Sequence, residues 1–168
     1  MDFPILSSLI LLPIIGSLFI FLTKSKNNSY NGAKYVALFT SFANFIISIY
    51  LWYIFDPTIT DFQFVENRIW IKNFINYKVG IDGISILFII LSTLIAPLCI
   101  VSVNKTVTVR LKEFLIAILL MESFMIGVFS SLDLVVFYLF FEGGLIPMFL
   151  IIGIWGGTRR VYSAFKFF

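Results

Sequence analysis

Five stretches of mostly apolar residues follow one another along this chain, at residues 4–23, 34–55, 82–103, 112–131 and 134–155. A helix of about 20 residues, rising about 1.5 Å per residue, crosses the roughly 30 Å hydrocarbon core of a bilayer. Composition agrees, because 60% of the 168 residues are hydrophobic and 12% are charged, whereas a soluble domain is about half apolar and a quarter charged. The sequence therefore predicts an all-α membrane protein with about five transmembrane helices.

The segments between these stretches complete a single membrane domain over residues 1–168. Residues 56–81 form a long polar loop, in which FQFVENRIWIKNF alternates loosely and predicts a short hairpin on the membrane surface. Few residues join helices four and five, so we expect these two helices to form a tight antiparallel pair. The tail at 162–168 is predicted to start a sixth helix. The N-terminal stretch lacks the basic region of a signal peptide, so the first helix is expected to remain in the mature protein.

Basic residues are divided unevenly between the two predicted membrane faces. Nine Lys or Arg residues lie in the loops after helices one, three and five, and three lie in the loop at 56–81. Loops on the cytoplasmic or matrix side carry an excess of Lys and Arg. The N-terminus is therefore predicted to lie on the outer side. The nine residues are Lys24, Lys26, Lys34, Lys105, Arg110, Lys112, Arg159, Arg160 and Lys166.

Glu122 and Glu142 are the two acidic residues, of nine in the chain, that fall deep inside predicted spans. An ionisable side chain within a bilayer is costly, so it is a functional candidate by default. Counted from the turn between helices four and five, each lies roughly 12–14 Å below the outer surface, near the midplane. Apolar surroundings disfavour a charged carboxylate and a nearby lysine favours it. Both are candidate proton-transfer residues, and the sequence leaves open whether they face each other.

Gly143, Gly144 and Pro147 follow Glu142 closely. Pro147 has no N–H, so the carbonyl of Gly143 is predicted to lose its usual helical partner. The freed carbonyl can hold a water molecule or a partner's side chain, and the small residues let another helix approach. These features favour proton transfer at Glu142. The alternative is that its carboxylate only pairs with a neighbouring helix.

For Glu122, proton transfer and simple pairing with a neighbouring helix are more evenly balanced. Ser123 and Gly127 indicate a packed face, on which the carboxylate would simply be paired. The chain has no histidine and one cysteine, Cys99, which lies in an apolar stretch. The commonest metal ligand and the usual general base are therefore missing. No metal-binding or cofactor-binding residues are predicted.

Three blocks of sequence resemble a known family. They are FDPTITDFQFVE in the polar loop, YKVGIDGISILF at the head of helix three, and FMIGVFSSLDLVVFYLFFEGGLIPMFLIIGIWGG over helices four and five. The family is that of the antiporter-like, proton-pumping membrane subunits of respiratory complex I, chain 4 in mitochondria and chain M in bacteria. The resemblance extends over essentially the whole chain, as the N-terminal portion of such a subunit.

The resemblance implies part of a Mrp-antiporter-like fold with inverted five-helix repeats. It also implies a buried glutamate on helix five that pairs with a lysine on a later, broken helix. Glu142 takes the place of that glutamate, and Glu122 takes the place of an acid on helix four. The implied function is proton translocation coupled to electron transfer from NADH to quinone, as a subunit of NADH:ubiquinone reductase with no redox chemistry in this chain.

The resemblance further implies that this chain binds no cofactor, because NADH, FMN, the iron–sulfur clusters and quinone belong to other subunits. The implied partners are other membrane-arm subunits, including neighbouring antiporter-like ones, and lipids, with no nucleic acid. The implied location is the mitochondrial inner membrane or the bacterial inner membrane, as a multi-pass protein.

The chain departs from the family in length, because it stops as helix six begins. Its eight lysines all lie in loops or at predicted helix ends, so the lysine partner of Glu142 is not among the predicted spans. A split subunit completed by a second chain, a gene fragment and a partial product all stay open. The alternatives in function are a fragment of a stand-alone Mrp-type cation/proton antiporter and a truncated inactive or structural fragment. The polar loop and the IGIWGG segment favour complex I.

Overall fold

The computed structural model describes residues 4–23, 31–71, 75–103, 107 and 109–167. Lys24, Lys26, Lys105 and Phe168, which enter the predictions above, lie outside the described residues. The described part of the chain contains six helices and a two-stranded sheet. In chain order these are α1 (Ile5–Leu22), α2 (Asn31–Ile54), β1 (Gln63–Ile71), β2 (Ile75–Ile81), α3 (Ser85–Ser102), α4 (Leu111–Ser130), α5 (Leu134–Trp155) and α6 (Arg160–Phe167).

Helices α1 to α5 are each long and apolar enough to cross a membrane. This finding confirms the predicted all-α membrane fold. The fifth helix begins and ends at the predicted residues, and α2 begins at Asn31 instead of residue 34. The extra turn at the start of α2 contains Asn31 and Gly32. The helix is longer than its apolar stretch because it can continue into the polar interface. A short helix, α6, begins two residues before the predicted start at 162.

Strands β1 and β2 pair in the antiparallel sense and form the hairpin expected in the long loop. Glu66 lies opposite Val79 and Arg68 opposite Tyr77, and a register shift separates Gln63 from Glu66. The second strand also holds the turn between α4 and α5, because the Leu132 N–H donates to the Lys78 carbonyl at 2.9 Å. The hairpin and this turn therefore lie at the same end of the helix bundle.

The start of α3 is fixed by a reciprocal hydrogen-bonded pair. The Ser85 N–H donates to Asp82 Oδ1 at 2.7 Å, and the Asp82 N–H donates to Ser85 Oγ at 2.8 Å. The N–H of Ile86 also donates to the Asp82 carbonyl at 3.2 Å. The helical bonding thus begins at Asp82, the predicted first residue, although the regular helix is bounded at Ser85. Such a capping box satisfies backbone donors that a helix end leaves free.

The opposite end of the bundle is tied by a lysine. Lys112 Nζ donates to the carbonyls of Phe21 and Thr23, at 2.8 and 2.9 Å. A cation at these carbonyls stabilises the negative end of the α1 dipole. The carboxyl end of α1 and the amino end of α4 therefore share one face, on which Arg110 also lies. That this basic face is the inner one stays a prediction.

Helix α4 lies at the centre of the bundle and packs against α1, α2, α3 and α5. Gly127 permits the close approach of α5, because a Cβ at this position would lie 2.5 Å from ring atoms of Phe140. A Cβ at Gly143 would lie 2.8 Å from Phe124. Only Val136 and Pro147 of α5 are fully buried. One broad face of α5 is therefore not covered by the described residues.

Candidate functional site

Glu122 is buried in the centre of the bundle, with 4% of its surface exposed. Its Oε1 accepts a hydrogen bond of 2.8 Å from Nδ2 of Asn44, a residue of α2 that is fully buried. A buried carboxyl group needs such partners, because burial removes the hydrogen bonds it would make with water. The pairing indicated by the packed face around Glu122 is therefore present, and its partner lies on α2.

Asn44 belongs to a stripe of polar residues on α2 that the sequence-based predictions did not include. Thr40, Ser41, Asn44 and Ser48 are all buried, and their spacing of three and four residues places them along one helical face. That spacing, inside an otherwise apolar span, was the signal available in the sequence. Amphipathic spacing of this kind shows which side of a transmembrane helix faces its neighbours.

Two further contacts join this polar stripe to the rest of the bundle. The hydroxyls of Ser48 on α2 and Thr93 on α3 lie 2.7 Å apart. The hydroxyl of Ser123, next to Glu122, donates to the carbonyl of Ile10 on α1 at 2.6 Å. Hydrogen bonds next to Glu122 therefore join α4 to α1 and to α2, and a further bond joins α2 to α3. The bond from Asn44 is the one contact among them that reaches the carboxyl group itself.

A cavity of about 440 Å³ opens beside Glu122 between α3 and α4. Its lining is almost wholly apolar and includes Met125, Ile151 and the exposed thiol of Cys99. Ser92 adds a hydroxyl at the α3 side. Glu122 is the one ionisable carboxyl group among the described residues that line this cavity. The carboxyl group therefore borders both a packed polar face and an open apolar space.

Glu142 lies in a different environment, because its side chain is exposed on the uncovered face of α5. Its carboxylate accepts a hydrogen bond from the hydroxyl of Tyr138, one turn earlier in the same helix. Pro147 is accommodated inside α5, which continues to Trp155. Gly143 faces α4, where it packs against Phe124. Gly143, which lies one turn before Pro147, therefore allows α4 to pack closely against α5.

The structure directs the two carboxyl groups to different partners. Glu122 is bonded to α2, and Glu142 is bonded within α5 and exposed on its free face. Within the described residues, the hydrogen bond of Glu142 to Tyr138 is the contact shown for its carboxylate, and no lysine bond to it is found. Among the described residues, no group of three or more His, Cys, Asp or Glu side chains is placed to hold a metal ion.

Comparison with known proteins shows that this chain is similar to membrane subunits of NADH:quinone oxidoreductase. The family model described as NADH:quinone oxidoreductase/Mrp antiporter, TM, matches residues 131–168. NADH-quinone oxidoreductase subunit M of Rickettsia conorii is 44% identical over 172 aligned residues, which cover 100% of this chain. This chain is a homologue of that subunit. NADH-ubiquinone oxidoreductase chain 4 of Marchantia polymorpha is 44% identical over 165 residues, or 97% of this chain.

A third homologue, subunit M of Rhodobacter capsulatus, is 57% identical over 136 residues, which cover 81% of this chain. The matched regions make up 26%, 35% and 33% of the subunits from Rhodobacter, Rickettsia and Marchantia. The chain therefore spans about a third of the length of the curated relatives it matches. These matches confirm the resemblance noted in the sequence, with both bacterial and mitochondrial-type chain names among the relatives.

Proposed function

We propose that this chain acts as part of a proton-translocating membrane-arm subunit of NADH:quinone oxidoreductase. The observation that carries the proposal is the position of two carboxyl groups, Glu122 and Glu142, within membrane-spanning helices of a chain homologous to subunit M. Intramembrane acids of this kind commonly mark proton relays. The relatives' names favour this function over a stand-alone cation/proton antiporter.

In the proposed mechanism each carboxyl group takes up and releases a proton as a nearby charge moves. Glu142 lies on the uncovered face of α5, where a cationic side chain from another helix or another chain can approach it. A lysine placed there would favour the charged carboxylate, and its withdrawal would favour protonation. Glu122 would exchange its proton from the interior of the bundle. The exposure of Glu142 and the burial of Glu122 support these separate roles.

The redox chemistry in this proposal belongs to other subunits. NADH, FMN, the iron–sulfur clusters and quinone would bind there, and this chain would contribute proton movement alone. Its partners would be neighbouring membrane-arm subunits, including antiporter-like ones, and lipids. The uncovered face of α5 supports a protein partner, because it carries the exposed carboxylate of Glu142 and an ionisable group that faces lipid is costly. The corresponding location is the inner membrane of a bacterium or a mitochondrion.

The test is the substitution Glu142→Gln in the assembled complex, with proton pumping and quinone reduction measured together. Loss of a proton-transfer group commonly lowers a rate by about 100-fold or more, so both activities should fall steeply. Glu113→Gln is the matched control, because Glu113 is an exposed glutamate in the first turn of α4. Near-normal pumping and quinone reduction in Glu142→Gln would contradict the role proposed for this residue. Purification without NADH dehydrogenase activity would favour the antiporter instead.

A further inference from the structure

Asn44 and Glu122 share one hydrogen bond, whereas an amide and a protonated carboxyl group can share two. Nδ2 of Asn44 donates to Oε1 of Glu122 at 2.8 Å. The other oxygen of each group, Oδ1 of Asn44 and Oε2 of Glu122, is buried and has no partner among the described residues. Both atoms are hydrogen-bond acceptors when the carboxyl group is ionised. Buried polar atoms are nearly always paired, so two adjacent unpaired acceptors require a chemical reason.

We propose that Asn44 holds the proton of Glu122. When Glu122 is protonated on Oε2, its O–H donates to Oδ1 of Asn44, while Nδ2 of Asn44 continues to donate to Oε1. One proton thereby satisfies both unpaired atoms, and the amide and the acid form a doubly hydrogen-bonded ring. Asn44 is then a positioning residue for the protonated state of Glu122. This inference rests on the proton-transfer role proposed for the chain and adds the group that stabilises the proton.

The surroundings of the pair favour the neutral acid. Within the described helices, α1 and α3 carry no Asp, Glu, Lys or Arg. On α2 the nearest charged residue is Lys34, ten residues before Asn44 and so about 15 Å along the axis. On α5 Glu142 is directed to Tyr138. Strand β2 contributes an exposed Lys78, and Cys99 of α3 lines the adjoining cavity.

Release of the proton breaks the O–H bond of Glu122 and leaves the electron pair on Oε2. The proton passes to a base, either a water molecule or a second carboxylate. Oδ1 of Asn44 then loses its donor, and the ionised Glu122 retains a single N–H donor in a buried site. Both side-chain groups of Asn44 are therefore bonded to Glu122 only when Glu122 is protonated. The contact between α2 and α4 responds directly to the charge on Glu122.

Infrared difference spectroscopy on the assembled complex tests this arrangement. A protonated carboxylic acid has a separate carbonyl band, and that band moves to higher frequency when its hydrogen bonds are removed. We expect one such band to vanish in Glu122→Gln and to move to higher frequency in Asn44→Leu. Ser41→Ala is the control, because Ser41 is equally buried on α2 and its hydroxyl bonds to Leu38 of its own helix. The control should leave the band unchanged.

Asn44→Thr provides a second variant that preserves a polar contact in case the leucine disturbs assembly. A hydroxyl can make one of the two bonds, so the band should move in the same direction by a smaller amount. A band that is unmoved by either substitution, or the absence of any band that depends on Glu122, would overturn the inference. The band reports protonation of Glu122 whether or not the complex pumps protons. A negative result in the infrared experiment is therefore distinct from a negative result in the Glu142→Gln experiment.

Discussion

Glu66 of β1 caps the first helix of the bundle from a distance of about 60 residues in the chain. Its Oε1 accepts hydrogen bonds from the N–H groups of Leu6 and Ser7, at 2.9 and 3.2 Å. Its Oε2 accepts from the hydroxyl of Ser7, which also lies 3.0 Å from the hydroxyl of Tyr77. The helix has no side-chain cap of its own at Pro4. Glu66→Ala should therefore destabilise both the helix start and the hairpin contact.

The size of this effect follows from the bonds that are lost. Removal of a helix cap costs about 0.5–2 kcal/mol, and a carboxylate near a helix N-terminus adds a favourable dipole interaction of about 0.3–1 kcal/mol. The two N–H groups share one oxygen, and Glu66 is only half-buried, so the contributions do not double. We expect Glu66→Ala to lower the free energy of unfolding by about 2 kcal/mol. At about 2–4 °C per kcal/mol, this corresponds to a fall in Tm of roughly 4–8 °C.

The assay is thermal unfolding of the detergent-solubilised chain, followed by circular dichroism. Glu66→Gln separates charge from hydrogen bonding, because the amide oxygen can still accept the N–H bonds while the dipole interaction is lost. Glu113→Ala is the control, since this glutamate is exposed. A Tm for Glu66→Ala within about 1 °C of both the wild type and the control would refute the cap, because about 2 kcal/mol must shift Tm by several degrees.

Two further predictions concern the approach of α4 to α5 and the start of α3. Gly127→Ala should lower the free energy of unfolding by about 1–3 kcal/mol through overpacking against Phe140, whereas Gly157→Ala, with no atom within 4 Å, should leave Tm unchanged. The hydrogen bond with the side chain of Ser85 and, to a smaller extent, the bond with its N–H hold the pKa of Asp82 below its usual value. That stabilisation is present above about pH 3.9 and is lost as pH falls through the folded-state pKa. Carbon-13 NMR titration of Asp82 should show a higher midpoint in Ser85→Ala, and an unchanged midpoint would contradict the capping pair.

The helices and their order could be predicted because each is specified by local composition. An apolar run such as residues 134–155 becomes a helix in a membrane because its backbone must satisfy its own hydrogen bonds there. The alternation of FQFVENRIWIKNF predicted a hairpin in the long loop, where β1 lies within that segment and β2 follows it. Asp82 was predicted as the first residue of helix three. Glu122 and Glu142 were found by the same means, since each is an acid inside an apolar run.

The partners of those acids could not be predicted, because they depend on the rotation of each helix about its axis. A sequence places Glu122 and Asn44 in their helices without showing that the two side chains meet. It also does not show that Glu142 points away from the bundle, toward a face that the described residues leave uncovered. Nor does it connect Glu66, an acid in a loop, with the N–H groups that begin the first helix.

The sequence by itself thus determined the transmembrane helices, the presence of the two glutamates within them and the resemblance to the antiporter-like family. Length, hydropathy and short motifs carry this information, and each is a property of neighbouring residues. The tertiary structure decided that Glu122 is held by Asn44 inside the bundle and that Glu142 faces outward. Hydrogen bonds between helices arise only when packing brings distant residues within about 3 Å of each other, and that contact depends on how every helix is rotated and packed.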